Sequence, residues 1–231
     1  MAYKNIFFDL DHTLWDFEAN AKDAIAEVFA TTNLSQRGIE NFDDFFERYS
    51  FHNTRLWDLY TKGRIKQDVL KWKRMYLAML DFKIADEPLA HQMDGAFLQI
   101  LPTKSKVFPH TFEVLDYLKE KNYPLHLITN GFDAIQAGKL KSSNMAHYFD
   151  KVITSETSNS LKPQPEIFQY ALDITHGNAE TSVMIGDNQD ADIAGANNMQ
   201  IDSIWVNHIN AQQIVPSTHT ILNLVQLKEI L

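Results

Sequence analysis

Three features of the sequence predict an α/β fold: a doubly wound parallel sheet, Rossmann-like, with an inserted α-helical domain. Short apolar runs recur, helical patterns alternate with them, and in one long interior stretch the alternation stops. Runs that are apolar along their whole length suit strands covered by helices on both faces. Ile6-Phe7-Phe8 is the first such strand and Leu125-His126-Leu127-Ile128 the second. Val152-Ile153 is the third, Val183-Met184-Ile185 the fourth and Ile204-Trp205-Val206 the fifth. Between them, Phe112, Leu115 and Leu118 share one stripe of a helix expected to end near Asn122, with Pro124 just beyond. Pro165 suits the first turn of another helix, which Gly177 is expected to close. Gly195 lies inside a further helical pattern, where it costs about 1 kcal/mol against alanine unless close packing requires it.

Residues 16–102 read as a run of helices rich in aromatics, with no convincing strand. Pro102 and Pro109 bracket the return to the alternating pattern. The expected organisation is a core of residues 1–15 and 103–231, interrupted by a helical domain of residues 16–102.

Composition narrows the functional classes. A hydrophobic fraction of 45% over 231 residues supplies a sizeable core. With no cysteine there are no disulfides, thiolate metal sites or thiol nucleophiles. The formal charge of −9 argues against a nucleic-acid polymer as partner, and no histidine pair has zinc-ligand spacing. No apolar run approaches membrane-spanning length and no signal-peptide pattern opens the chain. A cytoplasmic protein, monomeric or weakly self-associating, is expected.

The chemistry gathers just past the carboxyl ends of the predicted strands, the edge at which open α/β sheets place their sites. Asp9-Leu10-Asp11-His12-Thr13 follows the first strand and Thr129-Asn130-Gly131 the second. Lys162-Pro163 follows the third, and Gly186-Asp187 with Asp192 the fourth. Phosphate-ester hydrolysis suits such a set. A carboxylate is a competent nucleophile that divides the reaction into two steps. Several carboxylates around a phosphate dianion require a hard cation, and Mg²⁺ takes oxygen ligands. Asp9 and Asp187 are the expected side-chain ligands, with the Asp11 carbonyl as another. Lys162 would supply fixed positive charge, and Thr129 with the neighbouring Asn130-Gly131 backbone would hold phosphoryl oxygens. Asp11 would protonate the leaving oxygen and then deprotonate the attacking water. Asp190 reads as a surface or helix-start acid.

In this order the segments resemble the four motifs of the haloacid dehalogenase superfamily. Asp9-Leu10-Asp11-His12-Thr13 resembles its DxDxT motif, Thr129 its second-motif Ser/Thr, Lys162 its third-motif lysine, and Gly186-Asp187 with Asp192 its fourth. The helical insertion is similar to the superfamily's helical cap, so the resemblance spans essentially the whole chain. It implies Asp9 as nucleophile, Asp11 as general acid/base, a Mg²⁺ cofactor, and Asp192 as a supporting acid. Asp11 favours a phosphatase, since the dehalogenases of the superfamily lack this second aspartate.

Within the superfamily, Ile128-Thr129-Asn130-Gly131-Phe132, Leu161-Lys162-Pro163 and Glu166-Ile167-Phe168 are similar to strings of the bacterial pyrimidine nucleotidases. So is Leu56-Trp57 with Tyr60 and Gly63. Where that family often has glycine before the lysine, this chain has Asn159, a residue that tolerates left-handed backbone. The resemblance implies hydrolysis of pyrimidine nucleoside 5'-monophosphates. Sugar-phosphate or phosphoglycolate phosphatase and phosphomutase are the enzyme alternatives. A phospho-accepting regulatory module is a further alternative, but its motifs run in a different order. Trp57, Tyr60 or Phe17 would stack on a nucleobase, with His52, Asn53 and Arg55 as polar neighbours; Phe45, Phe46, Tyr49, Trp72 and Tyr76 read as helix packing.

Overall fold

The computed structural model describes residues 3–231. They form two compact units: one comprises the chain up to Phe17 with Ser105–Leu231, the other Glu18–Lys104. The helices in chain order are α1 (Phe17–Thr31), α2 (Phe42–Thr61), α3 (Gln67–Leu80), α4 (Glu87–Ile100), α5 (Thr111–Glu120), α6 (Asp133–Ser142), α7 (Pro165–Thr175) and α8 (Gly195–Asn198). The strands are β1 (Asn5–Phe8), β2 (Leu125–Ile128), β3 (Lys151–Ile153), β4 (Ser182–Gly186), β5 (Asp202–Val206) and β6 (His219–Ile221). No helix among the described residues is long and apolar enough to cross a membrane.

In the first unit the six strands form one parallel sheet of order β3-β2-β1-β4-β5-β6. Ile6, Phe7 and Phe8 of β1 are fully buried, as are Val183, Met184 and Ile185 of β4, because helices cover both faces. Phe7, Ile128, Ile153 and Met184 pack with Ile167 and Phe168 of α7. The connection order reverses beside β1, so the crevice past the ends of β1 and β4 is the topological switch point. The five strands read from the sequence are present; β6 went unread. It is a short edge strand with two of its three residues exposed, and so carries no apolar run.

Local details revise two helix readings. The buried stripe of α5 is Thr111, Val114, Leu115 and Leu118, while Phe112 is 37% exposed. Phe112 lies one residue off the i, i+3, i+4, i+7 series and therefore about 100° around the helix. At the end of α7 it is His176, at φ 53°, that takes the left-handed position. Gly177 follows it, and its N–H returns to the Leu172 carbonyl at 2.9 Å. Gly195 stands against α7: a Cβ there would lie 2.6 Å from the Phe168 ring.

The second unit is helical with its own core. Phe45 and Tyr49 of α2, Leu70, Met75 and Met79 of α3, and Leu89, Met93 and Phe97 of α4 are buried at helical spacing. Tyr49 meets Phe97 edge-on at 5.7 Å, and Phe45 lies 5.8 Å from Phe29 of α1. Asn41 caps α2 through Asp43 N–H, and Asp86 caps α4 through Leu89 N–H. Inside this core Arg74 bonds Asp94 and Asn53, both at 3.1 Å, and lies 4.8 Å over the Phe97 ring.

Two outcomes test this packing. Gly195→Ala forces the Phe168 ring aside and is expected to cost about 1–3 kcal/mol in denaturant unfolding. In β2, burial lowers the His126 pKa to about 4; its Nε2 bonds Asn5 at 3.2 Å and its buried Nδ1 has no partner among the described residues. The unfolded chain takes up this proton near the ordinary value of 6.5. The contribution is therefore complete above that value and is lost as pH falls toward 4. Thermal melts from pH 7 to 4 are expected to show a steeper loss for the parent than for His126→Phe; parallel curves would contradict it.

Candidate active site

The ends of β1, β2 and β4 meet the returning Lys162 loop at the sheet's carboxyl edge. Asp9 extends β1, its N–H donating to Ile185 O of β4 at 2.8 Å. The chain then folds back tightly. His12 takes φ 65°, its N–H reaches Trp15 O at 2.9 Å, and Trp15 N–H reaches Leu10 O at 2.8 Å. This turn holds Asp11 and Thr13 beside Asp9, and the Thr13 hydroxyl donates to Asp187 Oδ1 at 3.0 Å.

Lys162 is 2% exposed, and its ammonium donates to Asp9 Oδ1 at 2.6 Å, Asp192 Oδ1 at 2.6 Å and Ile128 O at 2.7 Å. All three protons are satisfied. Asn130 fixes the lysine from behind: its amide donates to Lys162 O at 2.9 Å and its carbonyl accepts from Lys162 N–H at 2.7 Å. Asn159, in the loop that delivers the lysine, adopts φ 51°. Asp192 comes from a π-helical turn, Gln189–Ala194. Its second oxygen accepts from Asn188 N–H at 3.0 Å. Gly186 makes room for it, since a Cβ there would lie 2.2 Å from Asp192 Oδ2.

Thr129 is 2% exposed, and its hydroxyl oxygen accepts from Gly131 N–H at 3.1 Å and from the Gln136 amide at 2.6 Å. Its own proton stays available to an anion. The Asp11 carboxylate is held from α6: Lys139 Nζ donates to its two oxygens at 2.6 and 2.8 Å, and Gln136 Nε2 donates at 2.9 Å.

The electrostatics follow from burial. Asp9 is pushed well above the usual carboxylate range by burial; Lys162 opposes this, and Asp192 and Asp187 add to it. Asp187 is pushed up to about 7 by burial and by Asp192, against the Thr13 hydrogen bond and Lys162. Burial alone would lower Lys162, but Asp192 and Asp9 outweigh it and raise it. Two carboxylates, Asp9 and Asp192, thus bond one ammonium, and Asp187 feels its charge without contact.

One oxygen from each of Asp9, Asp187 and Asp192 lies within 4.8 Å of the others. The donor set is all oxygen and over-supplied with negative charge, which fits a hard divalent cation. Asp192 has both oxygens engaged, by Lys162 and by Asn188. Asp9 and Asp187 are therefore the side chains suited to hold the ion, with Asp192 holding the lysine.

Asp9, Asp11, Thr129, Asn130, Gly131, Lys162, Asp187 and Asp192 thus come together in the first unit, and Asp190 is exposed outside the cluster. Trp57 lies on α2 of the helical unit, edge-on to Tyr60 at 5.6 Å. Of its expected polar neighbours, His52 is bonded to Asp81 at 2.9 Å and Asn53 to Arg74, both buried in that unit's core. Sequence reasoning passed over Thr13, Gln136 and Lys139. Thr13 was visible as the last position of DxDxT. Gln136 and Lys139 stand at i, i+3 after Thr129-Asn130-Gly131, a spacing that by itself reads as a solvated helix face.

The family model described as haloacid dehalogenase-like hydrolase matches residues 3–200. The pyrimidine 5'-nucleotidase PynA of Streptococcus pneumoniae is 34% identical over 214 residues, covering 90% of this chain and 85% of PynA. The pyrimidine 5'-nucleotidase YjjG of Escherichia coli is 28% identical over 235 residues, 100% of this chain and 99% of YjjG. The fold is similar to that of the Bacillus subtilis HAD-hydrolase YfnB in its magnesium-bound crystal structure. The TM-score is 0.91 at 24% identity, over 100% of this chain and 99% of that one.

The Asn130 tie is testable by itself. Asn130→Ala leaves the Lys162 N–H and C=O without their partner and is expected to lower unfolding free energy by about 1–3 kcal/mol in urea titrations. An unchanged midpoint and slope would show that the loop holds the lysine without it.

Proposed function

From the chain's membership of the haloacid dehalogenase-like hydrolases, we propose that it is a phosphomonoesterase acting through a phosphoryl group carried on Asp9. The observation that carries this reading is the convergence of Asp9, Asp187 and the buried Lys162 ammonium at one strand edge, beside Asp11 and Thr129. The Asp9 carboxylate attacks phosphorus in line, the ester P–O bond breaks, and Asp11 delivers a proton to the departing oxygen. Water then attacks the phosphoryl-aspartate, Asp11 takes its proton, and inorganic phosphate leaves with Asp9 restored. Lys162 and the Thr129 hydroxyl meet the charge on the phosphoryl oxygens. Mg²⁺, held by Asp9, Asp187 and the Asp11 carbonyl, would neutralise the dianion and align it for attack.

Pyrimidine nucleoside 5'-monophosphates are the proposed substrates, on the similarity to PynA and YjjG. The enzyme would work in the cytoplasm, where those nucleotides arise.

Asp9→Asn is expected to lower phosphate release by about 10⁴-fold or more while leaving the melting curve in place; near-parental turnover would remove Asp9 as nucleophile. Chelation is expected to abolish activity and added Mg²⁺ to restore it, with Asp187→Ala blunting the recovery. A phosphate-release panel is expected to favour uridine, cytidine and thymidine monophosphates over purine monophosphates, sugar phosphates and phosphoglycolate. A preference for a sugar phosphate would redirect the substrate while leaving the chemistry standing.

A further inference from the structure

Gln136 and Lys139 stand one helical turn apart on α6, and both reach into the site. Each is a costly residue to place there. Lys139 is 2% exposed and Gln136 fully buried. A buried lysine–carboxylate pair adds little stability over apolar packing, because desolvation cancels much of the attraction. Gln136 leaves its Oε1 buried with no hydrogen-bond partner among the described residues, so only the amide N–H side of the group is used. That side bridges Asp11 and Thr129, at 2.9 and 2.6 Å. Room for the bridge comes from Gly131, where a Cβ would lie 2.2 Å from Gln136 Nε2. Lys139 is itself seated between aromatic faces, 4.5 Å from the centroid of Trp15 and 5.5 Å from that of Phe17. Each contact thus converges on the orientation of one carboxylate.

We propose that Gln136 and Lys139 are positioning residues: they hold the Asp11 carboxylate in register with the phosphate-holding Thr129 hydroxyl so that it can meet the leaving oxygen. This rests on the phosphomonoesterase reading above. Neither residue takes a proton from substrate or touches phosphorus; both act through Asp11.

The experiment compares kcat/KM, which reports only the steps up to departure of the leaving group, on two classes of ester of different need. p-Nitrophenyl phosphate releases a phenolate that departs without a proton, whereas uridine monophosphate and glycerol phosphate release alkoxides that require one. With Lys139→Met the alkyl esters are expected to lose about 10²–10³-fold and p-nitrophenyl phosphate under about 10-fold. Lys139→Arg, which keeps charge and reach, is expected to restore most of the alkyl-ester activity. Gln136→Leu is expected to show the same selective loss at smaller size, and it carries the comparison should Lys139→Met fail to fold. Equal losses on both ester classes, or none on either, would overturn the positioning role. If the parent protein released phosphate from no ester, the phosphomonoesterase reading would fall first; an active parent with unselective variants overturns this inference alone.

Discussion

The ammonium of Lys162 is the contact on which the sheet's functional edge depends. Its three protons reach acceptors from three separate segments: Asp9 beyond β1, the Ile128 carbonyl at the end of β2, and Asp192 beyond β4. Such a buried cluster is a poor stabiliser in itself, because taking the charges out of water offsets much of their attraction. Its consequence is geometric. With Asn130 gripping the lysine backbone from the other side, the strand ends are fixed to within hydrogen-bond tolerance of one another. The same burial leaves Asp9 and Asp187 short of positive charge, which is the condition a hard cation relieves.

Sheet topology explains why these groups meet. With the order β3-β2-β1-β4-β5-β6, β1 lies between β2 and β4, so Asp9 has Thr129 on one side and Asp187 on the other. The parallel direction sends all three past the same edge. The strands are only three to five residues long, and Ile167, Phe168, Ala171 and Leu172 of α7 pack against Phe7, Ile128, Ile153 and Met184. Small residues then set the tolerances. Gly186 admits the Asp192 carboxylate and Gly131 admits the Gln136 amide, each at a distance no Cβ would allow. The helical unit is built separately, on its own aromatic core and a buried Arg74 network. That network absorbs His52's neighbour Asn53, while His52 itself is tied to Asp81.

Much of the arrangement is legible in the amino-acid sequence. The apolar runs marked five of six strands, and their carboxyl-side residues marked the acids, the threonine and the lysine. Strand β6 escaped because an exposed edge strand has no apolar run to betray it. Phe112 was misplaced because an aromatic near a stripe reads as part of it, although a shift of one residue turns a side chain about 100° away from the core. Gly177 does close α7 through its N–H to the Leu172 carbonyl, but the left-handed position falls one residue earlier, on His176.

By itself, the sequence determined the fold class, the helical insertion and the identity of the groups past each strand. Those signals are local: strand apolarity and strand-end position need only neighbours in the chain. Only the tertiary structure gave the expected split between the two acids a physical basis: Asp192 spends its oxygens on Lys162 and the Asn188 N–H, whereas Asp187 accepts from Thr13. It alone also brought Gln136 and Lys139 to Asp11, across 125 and 128 residues of chain. Two polar side chains at i, i+3 look the same in sequence whether water or a buried carboxylate faces them. The packing of α6 against the turn after β1 is what tells them apart.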